Sequence, residues 1–198
     1  MAFIRLRHYF PRLLPIVALL ALAWSSSPTT AKEHDAPHGP TTICIIRHGE
    51  KPDSKDDPNL TSKGCQRADA LARAFPQQFF VPDFIWATAP SKHSSRPLET
   101  VQPLARAVHE KVLDEYADAD FAKLAHELLT DPKYSGKTIL ICWHHGEIPT
   151  LAKALGANDA PDKWKGEEFD RVWELTFADG QVRFKNLPEK ALPGDSEK

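Results

Sequence analysis

Two short stretches carry reactive side chains straight out of apolar runs. Ile43 to Ile46 lead into Arg47-His48-Gly49-Glu50, and Ile139 to Trp143 lead into His144-His145-Gly146. A third cationic group, Arg96, opens the stretch Arg96-Pro97-Leu98-Glu99-Thr100, just past the run Phe84 to Ala87. Glycine after each histidine permits a sharp turn and close backbone approach. Two arginines, two histidines and helix N-termini converging on one rim would make an anion site. Either histidine alone would read as a satisfied strand-end side chain, so the weight lies on their occurring together.

The elements that must position these groups alternate along the chain. "TTICII" and "KTILICW" are short β-branched apolar runs, the pattern of buried strands, and "DFIWATAP" reads as another strand. Between them lie helical patterns. "LTSKGCQRADALARAF" carries Leu60, Ala68, Leu71, Ala72 and Phe75 at helical spacing, with Thr61 or Ser62 as cap. "RPLETVQPLARAVHE" is a helix able to bend at Pro103, "FAKLAHELLTD" is a third, and "EIPTLAKALG" is a fourth, closed by Gly156. The end differs: "RVWELTFADGQVRFKNL" is two alternating runs around Asp179-Gly180, a hairpin signal. This order predicts a three-layer α/β/α sandwich with a mostly parallel central sheet and a C-terminal antiparallel hairpin. Ligands of such sheets bind outside the carboxyl ends of the strands, where both histidine motifs fall.

The 198 residues suit one domain, and 41% hydrophobic with 26% charged residues is ordinary for a globular chain. A formal net charge of −2 gives no reason to expect nucleic acid. Arg5, Arg7 and Arg12 precede "LLPIVALLALAW" and a run of small residues, which reads as a secretory signal peptide over residues 1–31. Ala23 and Ala31 both satisfy the small-residue rule, with Ala31 preferred. The apolar run is too short for a spanning helix and contains Pro15, so no stable membrane insertion is expected after cleavage. An uncleaved N-terminal anchor is the alternative. Residues 32–40 read as a polar linker, 41–190 as the domain and 191–198 as a tail, with a periplasmic or secreted destination. Cys44, Cys65 and Cys142 are odd in number and not spaced as a disulfide framework; Cys44 and Cys142 read as small buried hydrophobes.

"CIIRHGEK", "LTSKGCQRA", "APSKHSSRPLET" and "ILICWHHGEIP", in this order, resemble the phosphoglycerate-mutase-like branch of the histidine phosphatase superfamily. The resemblance covers nearly all of Thr41 to about Leu155. It implies that His48 is the nucleophile, carried through catalysis as phosphohistidine, and that Arg47, Arg96 and His145 form the phosphate pocket with Gly49. It also implies phosphomonoester hydrolysis without a metal or other cofactor. Neutral imidazole is a competent nucleophile near pH 7, and guanidinium forks suit the charge spread over equatorial phosphoryl oxygens.

A leaving alkoxide needs a proton. Glu115, in "VLDEY", occupies the place in chain order where mutase-like members carry their acid. Glu147 stands two residues past the second histidine, where inositol-polyphosphate phosphatases have a donor. Both remain open. The segment from Pro90 to Arg96 is longer than the family's common form, and the asparagine that often follows Arg-His-Gly-Glu in mutases is replaced by "KPDSK". Glu50 therefore reads as a structural partner of the pocket. On a strand, His144 would face away from His145, unless the strand ends first. Lys92 and His93 read as a solvated loop, and Trp164 as a candidate pocket wall. His34 and His38 are four residues apart but lie in the polar linker, and no paired-cysteine spacing joins them with His109 and His126 into a metal site.

The expectation is an exported phosphatase acting on a phosphorylated sugar, glycan, other small molecule or envelope component. A phosphohistidine-protein phosphatase and a catalytically silent phosphate-binding module are the alternatives.

Overall fold

The computed structural model describes residues 39–54 and 56–197. The signal-peptide reading of residues 1–31 and most of the linker lie outside them. In chain order the elements are β1 (Thr42–Arg47), α1 (Ser62–Gln78), β2 (Phe84–Ala87), α2 (Arg96–Val108), β3 (Val112–Leu113), α3 (Phe121–Thr130), β4 (Thr138–Trp143), α4 (Ile148–Ala154), β5 (Arg171–Ala178) and β6 (Gln181–Pro188). The strands form one sheet ordered β3-β2-β4-β1-β5-β6. β1, β2, β3 and β4 run parallel, while β5 is antiparallel to both β1 and β6. The expected architecture is present, including the hairpin: Asp179 and Gly180 both have positive φ, 53° and 70°, as a tight two-residue turn requires.

Successive side chains of a strand point to opposite faces. Ile43 and Ile45 of β1, with Ile139, Ile141 and Trp143 of β4, therefore pack against α3 and α4. Cys44, Ile46, Leu140 and Cys142 face the other way, against Leu71 and Phe75 of α1 and Val101 and Leu104 of α2. Burial on both faces explains why these strands read as continuous apolar runs. Cys44 and Cys142 are free and buried, whereas Cys65 is exposed. β3 has no counterpart in the sequence reading, because two residues within a charged stretch leave no periodicity to detect.

Register brings the two histidine motifs side by side. Arg47 is the partner of Trp143 across the β1–β4 pair, so both strands end level and both motifs leave on the same rim. α1 is seated against the first of these turns. Its cap is Thr61, whose Oγ1 accepts the Gly64 N–H at 3.0 Å. A Cβ on Gly64 would lie 2.5 Å from the Glu50 carbonyl oxygen and 3.0 Å from the Glu50 nitrogen, so glycine alone permits this approach.

Candidate active site

At the end of β1, Arg47 is 1% exposed. Its Nη1 donates to the carbonyl oxygens of Gly166, 2.6 Å, and Glu168, 3.0 Å. The guanidinium carbon lies 3.8 Å from the centre of the Phe169 ring. Its Nε and Nη2 are buried and find no acceptor among the described residues. Buried donors without partners cost about 1–3 kcal/mol each, so this geometry suits an anion whose oxygens accept from them. Burial lowers the Arg47 pKa to about 10, with Glu50 opposing, and leaves the group charged at neutral pH.

His48 is 2% exposed, and its Nδ1 lies 2.7 Å from the Gly49 carbonyl oxygen. A carbonyl can only accept, so Nδ1 carries the proton and Nε2 keeps its lone pair. Burial pushes the His48 pKa down to about 2; the Gly49 bond opposes this, and His144, Arg47 and Arg96 reinforce it. The imidazole is thus neutral throughout the physiological range. The turn is anchored by Thr100, whose Oγ1 accepts the Gly49 N–H at 2.9 Å and donates to the Arg96 carbonyl at 2.7 Å.

Arg96 is the first residue of α2 and donates from Nη1 to the Asp57 carbonyl at 3.0 Å. Its Nε, like two nitrogens of Arg47, is buried without an acceptor among the described residues. Lys92 and His93 are exposed in the loop before it. His145 is half-buried in the turn after β4, and burial, Arg47 and Lys51 all lower its pKa. A Cβ built on Gly166 would lie 3.9 Å from His145 Nε2, so the segment that holds Arg47 also borders this histidine.

His144 corrects the expectation from strand alternation. β4 ends at Trp143, and the His144 ring packs edge-on to that of His48, centroids 5.1 Å apart. Burial, then Arg96, His145, Arg47 and Lys51, lower its pKa to about 4.

The acids divide. Glu115 is exposed just past β3 and makes no hydrogen bond or ion pair among the described residues. Glu147 stands at the N-cap position of α4 without a side-chain cap bond, and its N–H donates to the His144 carbonyl at 3.0 Å. Asp118, which sequence reasoning missed, lies close enough to Glu147 to feel its charge. Its carbonyl accepts the Trp143 indole N–H at 3.2 Å, and its Oδ1 is buried without a partner among the described residues. Burial and the Glu147 charge raise the Asp118 pKa to about 6. Its neighbours Ala117 and Ala119 gave no motif to find it by. Phe169 and the Gly166 and Glu168 carbonyls were also missed, since backbone acceptors leave no sequence signature. Trp164 acts indirectly: its indole donates to the Glu168 carbonyl at 2.9 Å and so braces an Arg47 acceptor. Among the described residues no group of three or more His, Cys, Asp or Glu is placed to hold a metal ion.

No family model and no curated protein matches the sequence. Solved structures do match in shape. Phosphoserine phosphatase from Entamoeba histolytica is 17% identical over 77% of this chain and 99% of its own, with a TM-score of 0.55. The chain has the phosphoglycerate-mutase-like fold. Mycobacterial glucosyl-3-phosphoglycerate phosphatase is 14% identical over 75% of this chain and 97% of its own, TM-score 0.55. SixA from Agrobacterium tumefaciens, a candidate phosphohistidine phosphatase, is 18% identical over 75% and 97%, TM-score 0.53. These likenesses establish the fold that carries the rim, and the chemistry rests on the residues described above.

Proposed function

We propose that this chain is a metal-independent phosphatase that works through a phosphohistidine on His48. The observation that carries this reading is the 2.7 Å contact from His48 Nδ1 to the Gly49 carbonyl, which leaves Nε2 as a neutral nucleophile beside Arg47 and Arg96. The Nε2 lone pair attacks phosphorus while the ester P–O bond breaks. Unpaired donors of Arg47 and Arg96 stabilise the charge on the phosphoryl oxygens, and His145 completes the pocket. A carboxylic acid gives its proton to the leaving oxygen. Water then attacks the phosphohistidine, the carboxylate takes the proton from that water, and phosphate leaves with His48 restored.

We assign the proton to the Asp118–Glu147 pair. Asp118 is the acid of this rim whose pKa is raised, and it is held against Trp143, the residue that precedes His144 and His145. Glu115 remains the competing donor. The proposed substrate is a phosphorylated small molecule or glycan met outside the cytoplasm, in keeping with the signal-like residues 1–31.

One observation favours a second reading, a phosphohistidine-protein phosphatase. Among the described residues no carboxylate is bonded to Arg47, His48, Arg96 or His145. A leaving nitrogen is protonated more readily than an alkoxide and needs a weaker donor. The test is hydrolysis of p-nitrophenyl phosphate by the chain starting at Lys32, in EDTA, beside His48→Ala and beside a phosphohistidine-bearing protein substrate. Ester turnover lost in the variant supports the phosphomonoesterase. Turnover of phosphohistidine alone supports the second reading. Phosphate binding with no turnover of either makes the chain a binding module.

A further inference from the structure

The turn that carries His48 is gripped from behind by a residue the mechanism does not use. Arg67 of α1 is 2% exposed, and each nitrogen of its guanidinium donates to a carboxylate. Nε lies 3.2 and 3.1 Å from the two carboxylate oxygens of Glu50. Nη2 donates to Glu50 at 2.9 Å and to Asp195 Oδ1 at 3.0 Å. Nη1 donates to Glu189 at 3.0 Å and to Asp195 Oδ2 at 2.9 Å. Two carboxylates are thus held by forks, which fix orientation as well as distance.

Asp195 comes from the segment read from sequence as a tail. Its Oδ2 also accepts the N–H groups of Ala191, 3.0 Å, and Leu192, 2.9 Å, so the carboxylate organises the turn that carries it. The Ser196 N–H donates to Asp170 Oδ2 at 2.6 Å, and the Glu189 N–H to the Asp170 carbonyl at 2.8 Å. The packed body therefore runs past residue 190. At the other end of the relay, the Glu50 nitrogen is in the same peptide unit as the Gly49 carbonyl. That carbonyl is the group that selects the His48 tautomer.

We infer that Asp195, acting through Arg67 and Glu50, is a positioning residue for His48: the C-terminal segment holds the Gly49 carbonyl where it keeps the proton on Nδ1. The inference rests on the reading of His48 as the nucleophile. Lys63 also reaches Glu50, at 3.2 Å, but its side chain is 65% exposed and its amine offers a point charge without a fork, so it cannot replace Arg67.

Asp195→Asn keeps the shape of the side chain but cannot accept from both Arg67 nitrogens. Three quantities are read: kcat and KM on p-nitrophenyl phosphate, the ¹⁵N shifts of the His48 ring, and the melting curve. The expected result is a folded variant with kcat lower by roughly ten- to a hundredfold, KM little changed, and His48 moved from one tautomer to a mixture. Glu197→Gln, in the same segment but outside the Arg67 cluster, leaves all three unchanged. A folded Asp195→Asn with wild-type kcat and an undisturbed tautomer overturns the inference. Should it not fold, Asp195→Glu, which keeps the charge and displaces the fork, is read in the same way. If the wild-type chain turns over no ester, the phosphatase reading has failed, and the tautomer comparison still decides whether Asp195 positions His48.

Discussion

The imidazole of His144 stands edge-on to that of His48, the rings 5.1 Å apart and inclined at 69°. The contact sets His144 against His48, and its neutral state at pH 7 lets it stay there beside Arg47 and Arg96. Replacing it with alanine should loosen His48 and lower kcat/KM about tenfold. Replacing His145 should cost on the order of 10²–10³, the scale of a lost donor to developing charge. Steady-state kinetics of the two variants side by side checks the order, and equal losses would make His144 a second donor.

Arg47→Lys is not a conservative change here. Lysine cannot bond Gly166 and Glu168, lie on Phe169 and still present two further donors. We expect a fall in kcat/KM of at least roughly 10² and a matching loss of phosphate affinity by calorimetry. Phe169→Ala should cost about 0.5–2 kcal/mol of the same affinity, the range of a cation–π contact.

The proposed proton donation by Asp118 implies a pH profile. The donor must be protonated, so kcat for an ester should fall as pH rises through about 6, the value set by burial and the Glu147 charge. His48 and His144, lowered to about 2 and about 4 by burial and neighbouring charge, are neutral at pH 5 and give no acid limb there. Glu147→Gln removes the like charge and should move the limb toward lower pH. Asp118→Asn should abolish it with a loss on the order of 10²–10⁴. An unmoved limb in both variants, with loss in Glu115→Gln, would transfer the role to Glu115.

Glu189 predicts a stability difference of definite sign. Burial, opposed by Arg67 and aided by Asp195 and Glu50, raises its pKa from 4.5 to about 8. The folded chain then holds a proton that the unfolded chain releases. Its contribution is fully present below pH 4.5 and is lost as pH rises through about 8. Glu189→Gln should melt at a higher temperature than the wild type at pH 9, with the gain shrinking toward pH 5. Thermal scans across that range decide it.

Gly64→Ala tests the seat of α1 against the turn that carries His48. The added methyl would meet backbone atoms of Glu50 at 2.5 and 3.0 Å, which cannot rotate away as a side chain tip could. A destabilisation of about 1–3 kcal/mol is expected, the usual cost of overpacking, together with loss of turnover. Denaturant titration and the ester assay measure the two.

What could be read from sequence was whatever a local pattern encodes. Ile43–Ile46 and Ile139–Cys142 are apolar because both faces of their strands are covered, and that burial is visible without coordinates. Arg47 and His48 were legible because they follow such a strand directly. Arg96 was legible from its place just past β2 at the start of a helix, and the resemblance to a known motif gave it a role. What escaped was set by distance along the chain. Arg67 meets Asp195 across 128 residues, and Arg47 meets the Gly166 carbonyl across 119. His144 escaped for a smaller reason, a strand that stops one residue early.

The central place of β1 bears on how the chain is made. Thr41 bonds to the carbonyl of Lys137, 96 residues later, and the other neighbour of β1 begins only at Arg171. During synthesis at about 5–20 residues per second, an apolar strand would wait roughly 5–20 s for its first partner and longer for its second. Loop-closure entropy keeps such late pairings slow even once both strands exist. The segment that leads into His48 is thus an early-made strand with a late-made home, and for that interval its exposed edges are open to any other strand it meets.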